Sequence, residues 1–181
     1  MRTYKAEGIV IKRRDFGEAD RYITLFTKEH GKISVKALGV RKLTSTRSPH
    51  VELLSHCFFS LYRTQTNPIL TEVKSVDSFE LVKGDLTKIG FAYHICELVD
   101  GLCAEHQENE AIFSLLLETL GRLCSNENIA VVVHQFEIEL LRQLGFWPKE
   151  QKLQGKEIPV VIERILERKL RSLRLLPRFR N

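Results

Sequence analysis

The stretch "RYITLFTKEHGKISVKALG", residues 21–39, contains the clearest strand pattern in the chain. Ile33, Val35 and Ala37 alternate there with polar residues at positions 32, 34 and 36. A period of two places the apolar and polar side chains on opposite faces of a strand. The polar segment "EHG" separates this pattern from the apolar run before it and is a turn signal. The stretch therefore predicts two neighbouring strands joined by a short turn.

Three more strand candidates flank this pair, namely "YKAEGIVIK" (4–12), "LLSHCFFSLYR" (53–63) and "ILTEVKSVDSF" (69–79). Five short strands in so few residues fit a small antiparallel barrel, and the five-stranded barrel that commonly binds nucleic acid is the OB-fold. We therefore expect an α+β protein whose residues 1–78 form a five-stranded OB-fold β-barrel.

The apolar period becomes helical from Asp85 onward, with apolar residues three and four positions apart. Three such segments precede Pro148, and Asp85 is a good N-cap for the first of them. Gly145 followed by Pro148 is a typical helix stop. A fourth, basic segment runs from Val160 to about Leu176. We expect residues 79–181 to form a C-terminal α-helical bundle with a basic C-terminal helix.

The net charge of +5 is unevenly distributed along the chain. Residues 1–76 carry +7, residues 77–150 carry −8 and residues 151–181 carry +6. Basic surfaces favour a polyanion such as nucleic acid, although a solvated surface has the same composition. No apolar run approaches the roughly 18 residues of a membrane span, and the N-terminus lacks a signal-peptide pattern. We expect a cytoplasmic protein without a membrane partner.

The cysteines do not predict a metal site. None of Cys57, Cys96, Cys103 and Cys124 belongs to a C-x-x-C pair, whereas a structural zinc needs four ligands at defined spacings. We expect these cysteines to be small buried hydrophobic residues, and we expect no metal and no cofactor.

The segment "KRRDFGEADR", residues 12–21, contains the tripeptide that holds magnesium in protein kinases. The Gly-rich loop, strand lysine and catalytic loop that must precede it in a kinase are missing. Three acids interleaved with arginines on one turn are better placed to pair with those arginines than to hold two metal ions. We expect a tight turn at Gly17, no catalytic residues and no enzymatic activity.

The basic residues of the first half are the candidate nucleic-acid ligands, because lysine and arginine neutralise backbone phosphates. Hydroxyl side chains at positions 44–46 and 48 are candidate phosphate donors. Phe16 and Tyr22 are candidate stacking rings, although we expect both to pack in the core. The first-rank phosphate ligands are Lys32, Lys36, Arg41, Lys42 and Arg47, and the second-rank ones are Arg13, Arg14 and Arg21.

The run "EGIVIKRRDFGEADRYITLFTKEHGKISVKALGVRK", residues 7–42, resembles the N-terminal signature of the bacterial RecO family of recombination mediators. The elements that carry the resemblance are Gly17–Arg21, Leu25–Thr27, His30–Gly31 and Gly39–Lys42, in that order. "LLRQLGFWP" (140–148) resembles a helix end in the second domain of the family, and "RKLRSLRLL" (168–176) resembles its C-terminal helix.

The resemblance implies an N-terminal OB-fold, a helical C-terminal domain and no catalysed reaction. It also implies binding of single- and double-stranded DNA, strand annealing in DNA repair, and an association with the nucleoid. The implied partners are RecR, the C-terminal tail of the single-strand DNA-binding protein and, indirectly, RecA, which is loaded onto DNA. One departure concerns the four-cysteine zinc module that many relatives carry after "LGFxP". Here "KEQKLQGKEIP" (149–159) contains no cysteine, so zinc is not expected, and its lysines 149, 152 and 156 are further candidate DNA contacts.

Three other functions remain open from the residues. An OB-type RNA-binding protein would be separated by competition between DNA and RNA, because the sequence shows no feature that reads the 2′-hydroxyl. A protein-interaction module acting through the acidic helical half would bind a partner without affinity for DNA. A metal-dependent nuclease at residues 15–20 would cleave DNA in the presence of magnesium.

Overall fold

The computed structural model describes residues 2–125, 127–148 and 157–174, and it forms two compact units. The first unit contains the described residues up to Ser78 together with Ala104–Glu110. The second contains Phe79–Cys103 and the described residues from Ala111 onward. The sequence predicts a single boundary after residue 78. In the structure, residues 104–110 also belong to the first unit.

The first unit is a closed five-stranded barrel, which confirms the predicted OB-fold and the α+β class. The order of strands around the barrel is β1-β2-β3-β5-β4, and β1 closes the ring by pairing with both β2 and β4. All pairs are antiparallel except the short parallel contact between β3 and β5. The strands are β1 (Thr3–Phe16), β2 (Asp20–Thr27), β3 (Gly31–Ala37), β4 (His56–Tyr62) and β5 (Ile69–Asp77).

The alternation in β3 fixes which face of the sheet points into the barrel. Ile33, Val35 and Ala37 are buried in the barrel core, as the sequence predicts. The partners of Ile33 and Val35 on β2 are Leu25 and Ile23, which belong to the same core. Side chains at the intervening positions of β2 and β3 therefore lie on the outer face of the barrel.

The second unit consists of helices. Its helices are α1 (Glu80–Lys83), α2 (Leu86–Leu102), α3 (Glu110–Cys124), α4 (Ile129–Gln143) and α5 (Ile158–Leu166). The Asp85 carboxylate accepts hydrogen bonds from the backbone amides of Thr87 and Lys88, so the predicted N-cap is confirmed. Gly145 has a φ of +77° just after α4, as expected for a glycine stop. No described helix combines the length and apolar character that a membrane span requires.

The predicted extent of the fourth helix is wrong. Helix α5 ends at Leu166, and Glu167 has a φ of +53°, which a continuing helix cannot contain. The chain forms one short 3₁₀ turn at Ser172–Arg174, and Leu176 lies outside the described residues. The Glu97 carboxylate accepts hydrogen bonds from the backbone amides of Arg171 and Ser172, which stabilises this non-helical path.

Candidate nucleic-acid interface

The β1–β2 hairpin divides the charged segment 12–21 between two faces. Arg13 lies opposite Ile23, a residue of the barrel core, and Asp15 lies opposite Arg21. Arg14 lies opposite Tyr22, on the alternate face. The face shared with Ile23 carries Arg13, Asp15 and Arg21, and the outer face carries Arg14, Phe16, Asp20 and Tyr22.

Ion pairs occupy the face that continues from the core. The Arg21 guanidinium donates to Asp15 Oδ1 at 2.8 Å and to Glu52 Oε1 at 2.9 Å. Arg13 forms a salt bridge with Glu52, and Arg41 Nε lies 3.4 Å from Asp15 Oδ2. The hydrogen bond from Arg21 lowers the pKa of Asp15, and the charges of Arg21, Arg41 and Arg13 lower it further. The expected pairing of the acids with arginines is confirmed for Asp15.

The turn of the hairpin is tied to the loop that follows β3. Gly17 has a φ of +57°, which confirms the predicted glycine turn. Arg41 donates from its side chain to the Gly17 carbonyl at 3.1 Å and from its backbone to the Ala19 carbonyl at 2.9 Å. Asp20 Oδ1 accepts a hydrogen bond from the Gly39 amide at 2.8 Å. Asp20 therefore holds the loop in place.

The outer face carries alternating cations and aromatic rings. Tyr22 on β2 lies between Arg14 on β1 and Lys36 on β3. The Arg14 guanidinium carbon is 5.7 Å from the centre of the Tyr22 ring, and Lys36 Nζ is 5.2 Å from the centre of the Phe16 ring. The two rings meet edge to face with centroids 5.2 Å apart. These contacts hold two positive charges above an aromatic surface.

The exposure of the rings differs from the expectation that both pack in the core. Phe16 is 46% exposed, and Tyr22 is only partly buried on the outer face. The expectation was wrong because the strand register places both rings on the side opposite Ile23. Exposed rings beside cations are the features with which OB-folds stack bases and neutralise the nucleic-acid backbone.

Lys32 and Lys36 share the outer face of β3 but lie in different surroundings. Lys36 lies beside Phe16 and 3.9 Å from an Asp20 oxygen. Lys32 is only 8% exposed, because the segment that contains Glu105 forms a bridge with its backbone. Its carbonyl accepts a hydrogen bond from the His106 amide at 2.9 Å. The structure therefore brings Lys36, but not Lys32, to the aromatic surface.

The two arginines of the loop after β3 are bound within the protein. Arg41 contacts Asp15 and Gly17, as described above. The Arg47 guanidinium donates to the carbonyls of Leu70 and Leu38 at 2.9 and 2.8 Å. Both side chains fix the ends of the loop. Both guanidinium groups are positively charged and contribute to the electrostatic potential of this surface.

Lys42 and three hydroxyl residues line a cavity of about 560 Å³ between those loop ends. The hydroxyl residues are Thr44, Ser45 and Thr46. Ser45 Oγ is buried and has no hydrogen-bond partner among the described residues. Arg47 and the Asp20 carboxylate also line the cavity. Its two cations and its hydroxyls can donate hydrogen bonds to a phosphate oxygen.

The geometry thus separates the eight predicted phosphate ligands. Arg13, Arg21 and Arg41 form salt bridges with carboxylates. In the part of the chain that the structure describes, Arg14 and Lys42 form no salt bridge, so their charges are available to an external anion. Sequence reasoning missed Glu52, which binds two of the arginines, because no local pattern links it to a residue 31 positions away.

A second arrangement of polar residues lies in the helical unit. His94 Nδ1 is 2.7 Å from Ser172 Oγ, and His94 Nε2 is 2.8 Å from Glu137 Oε1. This order of serine, histidine and carboxylate is that of a hydrolase triad, and motif spacing does not reveal it. However, Ser172 is 6% exposed, and its hydroxyl lies 2.6 Å from Glu97 Oε2, which is a competing proton acceptor. The arrangement therefore lacks an accessible serine whose proton is directed to the histidine.

Metal ligands do not cluster among the described residues, where no group of three or more His, Cys, Asp or Glu side chains is placed to hold an ion. The segment that replaces the zinc module, residues 149–156, lies outside the described residues. The expected absence of zinc stays a prediction.

Two family models match the chain in succession. The model "Recombination protein O N terminal" matches residues 1–79, and "Recombination protein O C terminal" matches residues 83–152. The first match covers the barrel strands and the residues of the outer face. The second covers α2 to α4.

Curated relatives show the same similarity. The chain is 40% identical to "DNA repair protein RecO" of Roseiflexus sp. (strain RS-1), over 82% of this chain and 52% of the relative. It is 38% identical to the protein of that name from Heliobacterium modesticaldum, over 82% of this chain and 54% of the relative. It is 35% identical to the protein of that name from Pelotomaculum thermopropionicum, over 82% of this chain and 57% of the relative. The chain therefore spans about half the length of the curated relatives it matches.

Proposed function

We propose a role in DNA repair and homologous recombination for this chain, which belongs to the RecO family of recombination proteins. In this proposal it binds single- and double-stranded DNA and promotes the annealing of complementary strands. It helps RecR to load RecA onto DNA covered by the single-strand DNA-binding protein, whose C-terminal tail it binds. It acts in the cytoplasm at the nucleoid, needs no zinc or other cofactor, and catalyses no reaction.

The observation that carries the proposal is the outer face of the barrel. Arg14 and Lys36 lie over Tyr22 and Phe16, and Phe16 is half exposed. This surface combines the two requirements of single-strand binding, which are positive charge along the backbone and rings for the bases. It spans β1 to β3 and the β1–β2 turn, the region with which OB-folds bind oligonucleotides.

The loop after β3 extends this surface. Its cavity contains Lys42, which has no carboxylate partner among the described residues, and the three neighbouring hydroxyls. A DNA strand whose bases contact Phe16 and Tyr22 would place its backbone phosphates near the cations that flank the two rings. Binding of this kind depends on charge and stacking, so we expect little dependence on base sequence.

The test is a titration of labelled single-stranded DNA with the full chain at two salt concentrations. We expect the affinity to fall steeply with salt, because each phosphate contact releases a counterion. Replacing Arg14 and Lys42 together by Ala should make the slope of log K against log salt shallower, by the amount that about two phosphate contacts contribute. The matched control is the double variant Lys5→Ala with Lys74→Ala, which removes the same charge from exposed positions on β1 and β5.

A salt-independent affinity, or equal losses in the two double variants, would contradict the proposed surface. Competition by an RNA of the same sequence tests the choice of DNA. Elemental analysis of the purified chain tests the absence of zinc.

A further inference from the structure

Four side chains of the helical unit form an unbroken line of three short contacts. Glu137 Oε1 lies 2.8 Å from His94 Nε2, His94 Nδ1 lies 2.7 Å from Ser172 Oγ, and Ser172 Oγ lies 2.6 Å from Glu97 Oε2. His94 is 1% exposed, so the centre of the line is dry. The line connects α2 and α4 to the turn at Ser172–Arg174.

Glu97, at one end, is ionised. Its two oxygens accept hydrogen bonds from the backbone amides of Arg171 and Ser172 and from the Arg168 guanidinium, at 2.8–3.0 Å. Burial raises the pKa of Glu97, but the hydrogen bonds from Ser172, Arg168 and the two amides outweigh it and lower the pKa to about 2. An ionised carboxylate only accepts hydrogen bonds, so the Ser172 hydroxyl donates to it.

The remaining two contacts then need two more protons. Because the Ser172 proton points to Glu97, Ser172 Oγ accepts a proton from His94 Nδ1. A neutral imidazole carries one proton, which Nδ1 uses. The contact between His94 Nε2 and Glu137 needs a further proton, because two lone pairs 2.8 Å apart repel each other.

We propose that the line Glu97–Ser172–His94–Glu137 holds one extra proton, beyond those present when both carboxylates are ionised, the serine carries its hydroxyl proton and the imidazole is neutral. This proton keeps residues 168–174 bound to α2 and α4. The proton is shared between His94 and Glu137. Without it, one contact becomes repulsive and the turn at Ser172 loses its hold on the helices.

The charged groups around the His94 ring fit this assignment. Glu137 faces it from α4, and Glu97 reaches it from α2 through Ser172. Arg168, from the fastened segment, binds the far side of Glu97 at 2.8 Å. The ring therefore lies between two carboxylates, one in direct contact and one reached through Ser172.

The consequence is that docking of residues 168–174 depends on pH. The docked state binds one proton more than a released segment with a neutral histidine, so docking weakens as pH rises. A difference of one bound proton changes the docking equilibrium by up to about tenfold for each pH unit. The segment that is released is basic, with Arg168, Lys169 and Arg171.

Nuclear magnetic resonance of the full chain tests the proton directly. We expect the ¹⁵N shift of His94 Nδ1 to show a bound proton at pH 7.5. We also expect the hydrogen-exchange protection of the Arg171 and Ser172 amides, corrected for intrinsic exchange, to fall at least tenfold between pH 6 and pH 8.5. A bare Nδ1, or protection that is constant over this range, would overturn the proposal even if no variant folds.

The variant Glu137→Gln provides the sharper test. Its carboxamide can donate to an unprotonated Nε2, so the line closes without the extra proton. We expect protection of the two amides to persist and to become independent of pH. The matched control is Glu139→Gln, which removes a carboxylate from the same helix. Glu139 accepts a hydrogen bond from Gln143 and not from His94, so this variant should keep the tenfold fall in amide protection. An unchanged pH dependence in Glu137→Gln would refute the assignment.

Discussion

Gly31 and Gly17 share a positive φ but differ in their surroundings. Their φ angles are +62° and +57°, a region that costs other residues about 1–2 kcal/mol. A Cβ at Gly31 would lie 1.9 Å from the Gln107 carbonyl oxygen, whereas a Cβ at Gly17 would meet nothing within 4 Å. Gly31 therefore provides both the turn between β2 and β3 and the space for the segment that returns from the helices.

The two glycines predict different costs for the same substitution. Gly17→Ala should lower the free energy of unfolding by about 1–2 kcal/mol, which is backbone strain alone. Gly31→Ala should lower it by about 2–4 kcal/mol, because the Gln107 backbone must also move. Urea unfolding of both variants measures the difference. Equal losses would mean that residues 104–110 do not pack against Gly31.

The two-residue period of a strand assigns opposite roles to neighbouring residues of the β1–β2 hairpin. Arg21 is 12% exposed in its side chain and binds two carboxylates on the inward face. Arg14, on the outward face, lies over a tyrosine ring and binds none of the described carboxylates. The same residue type thus serves stability at one position and is available to a ligand at the other.

Single alanine variants of these arginines should separate the two roles. Arg21→Ala should lower the free energy of unfolding by about 1–2 kcal/mol, because Asp15 and Glu52 lose their shared partner. Arg14→Ala should change stability by less than about 0.5 kcal/mol and weaken single-stranded DNA binding by about three- to tenfold. Urea unfolding and fluorescence anisotropy measure the two effects. Comparable DNA-binding losses in both variants, under conditions where both are folded, would contradict this division.

Several carboxylates of the molecule make its stability depend on pH in the acid range. The pKa of Glu97 is about 2, and hydrogen bonds from arginine or lysine side chains lower the pKa values of Asp15, Glu127 and Glu163. A lowered pKa in the folded state means that the unfolded chain binds protons first as pH falls. These carboxylates therefore contribute stability above about pH 4.5, and the contribution is lost as pH falls toward 2.

Substitution of Glu97 should flatten this acid dependence. In the full chain we expect the urea midpoint to fall between pH 5 and pH 2.5. Glu97→Gln should be less stable at pH 7 and should show a shallower fall, because the group with the lowest pKa is gone. Glu118→Gln, which removes an exposed carboxylate from α3, should keep the slope of the natural chain. A parallel slope in Glu97→Gln would show that Glu97 does not titrate in this range.

Local pattern was sufficient for the barrel strands and for the start of α2. The alternation in β3, the glycine at position 17 and the Asp85 cap act over a few residues, and all three predictions are confirmed. The extent of the last helix was wrong because its path depends on Glu97, more than 70 positions earlier. The expected burial of Phe16 was wrong because exposure depends on register with a partner strand.

Local patterns in the sequence predict the strands in their chain order, the helices from Asp85 onward, the turn at Gly17 and the basic character of the first unit, because backbone geometry and side-chain period are local. Which cations are bound internally and which face a ligand depends instead on contacts between distant parts of the folded chain. Glu52 and Asp15 bind three arginines, while Arg14 and Lys42 have no carboxylate partner among the described residues. Ion pairs act through space over a few ångströms, and folding brings together residues that are distant in the chain.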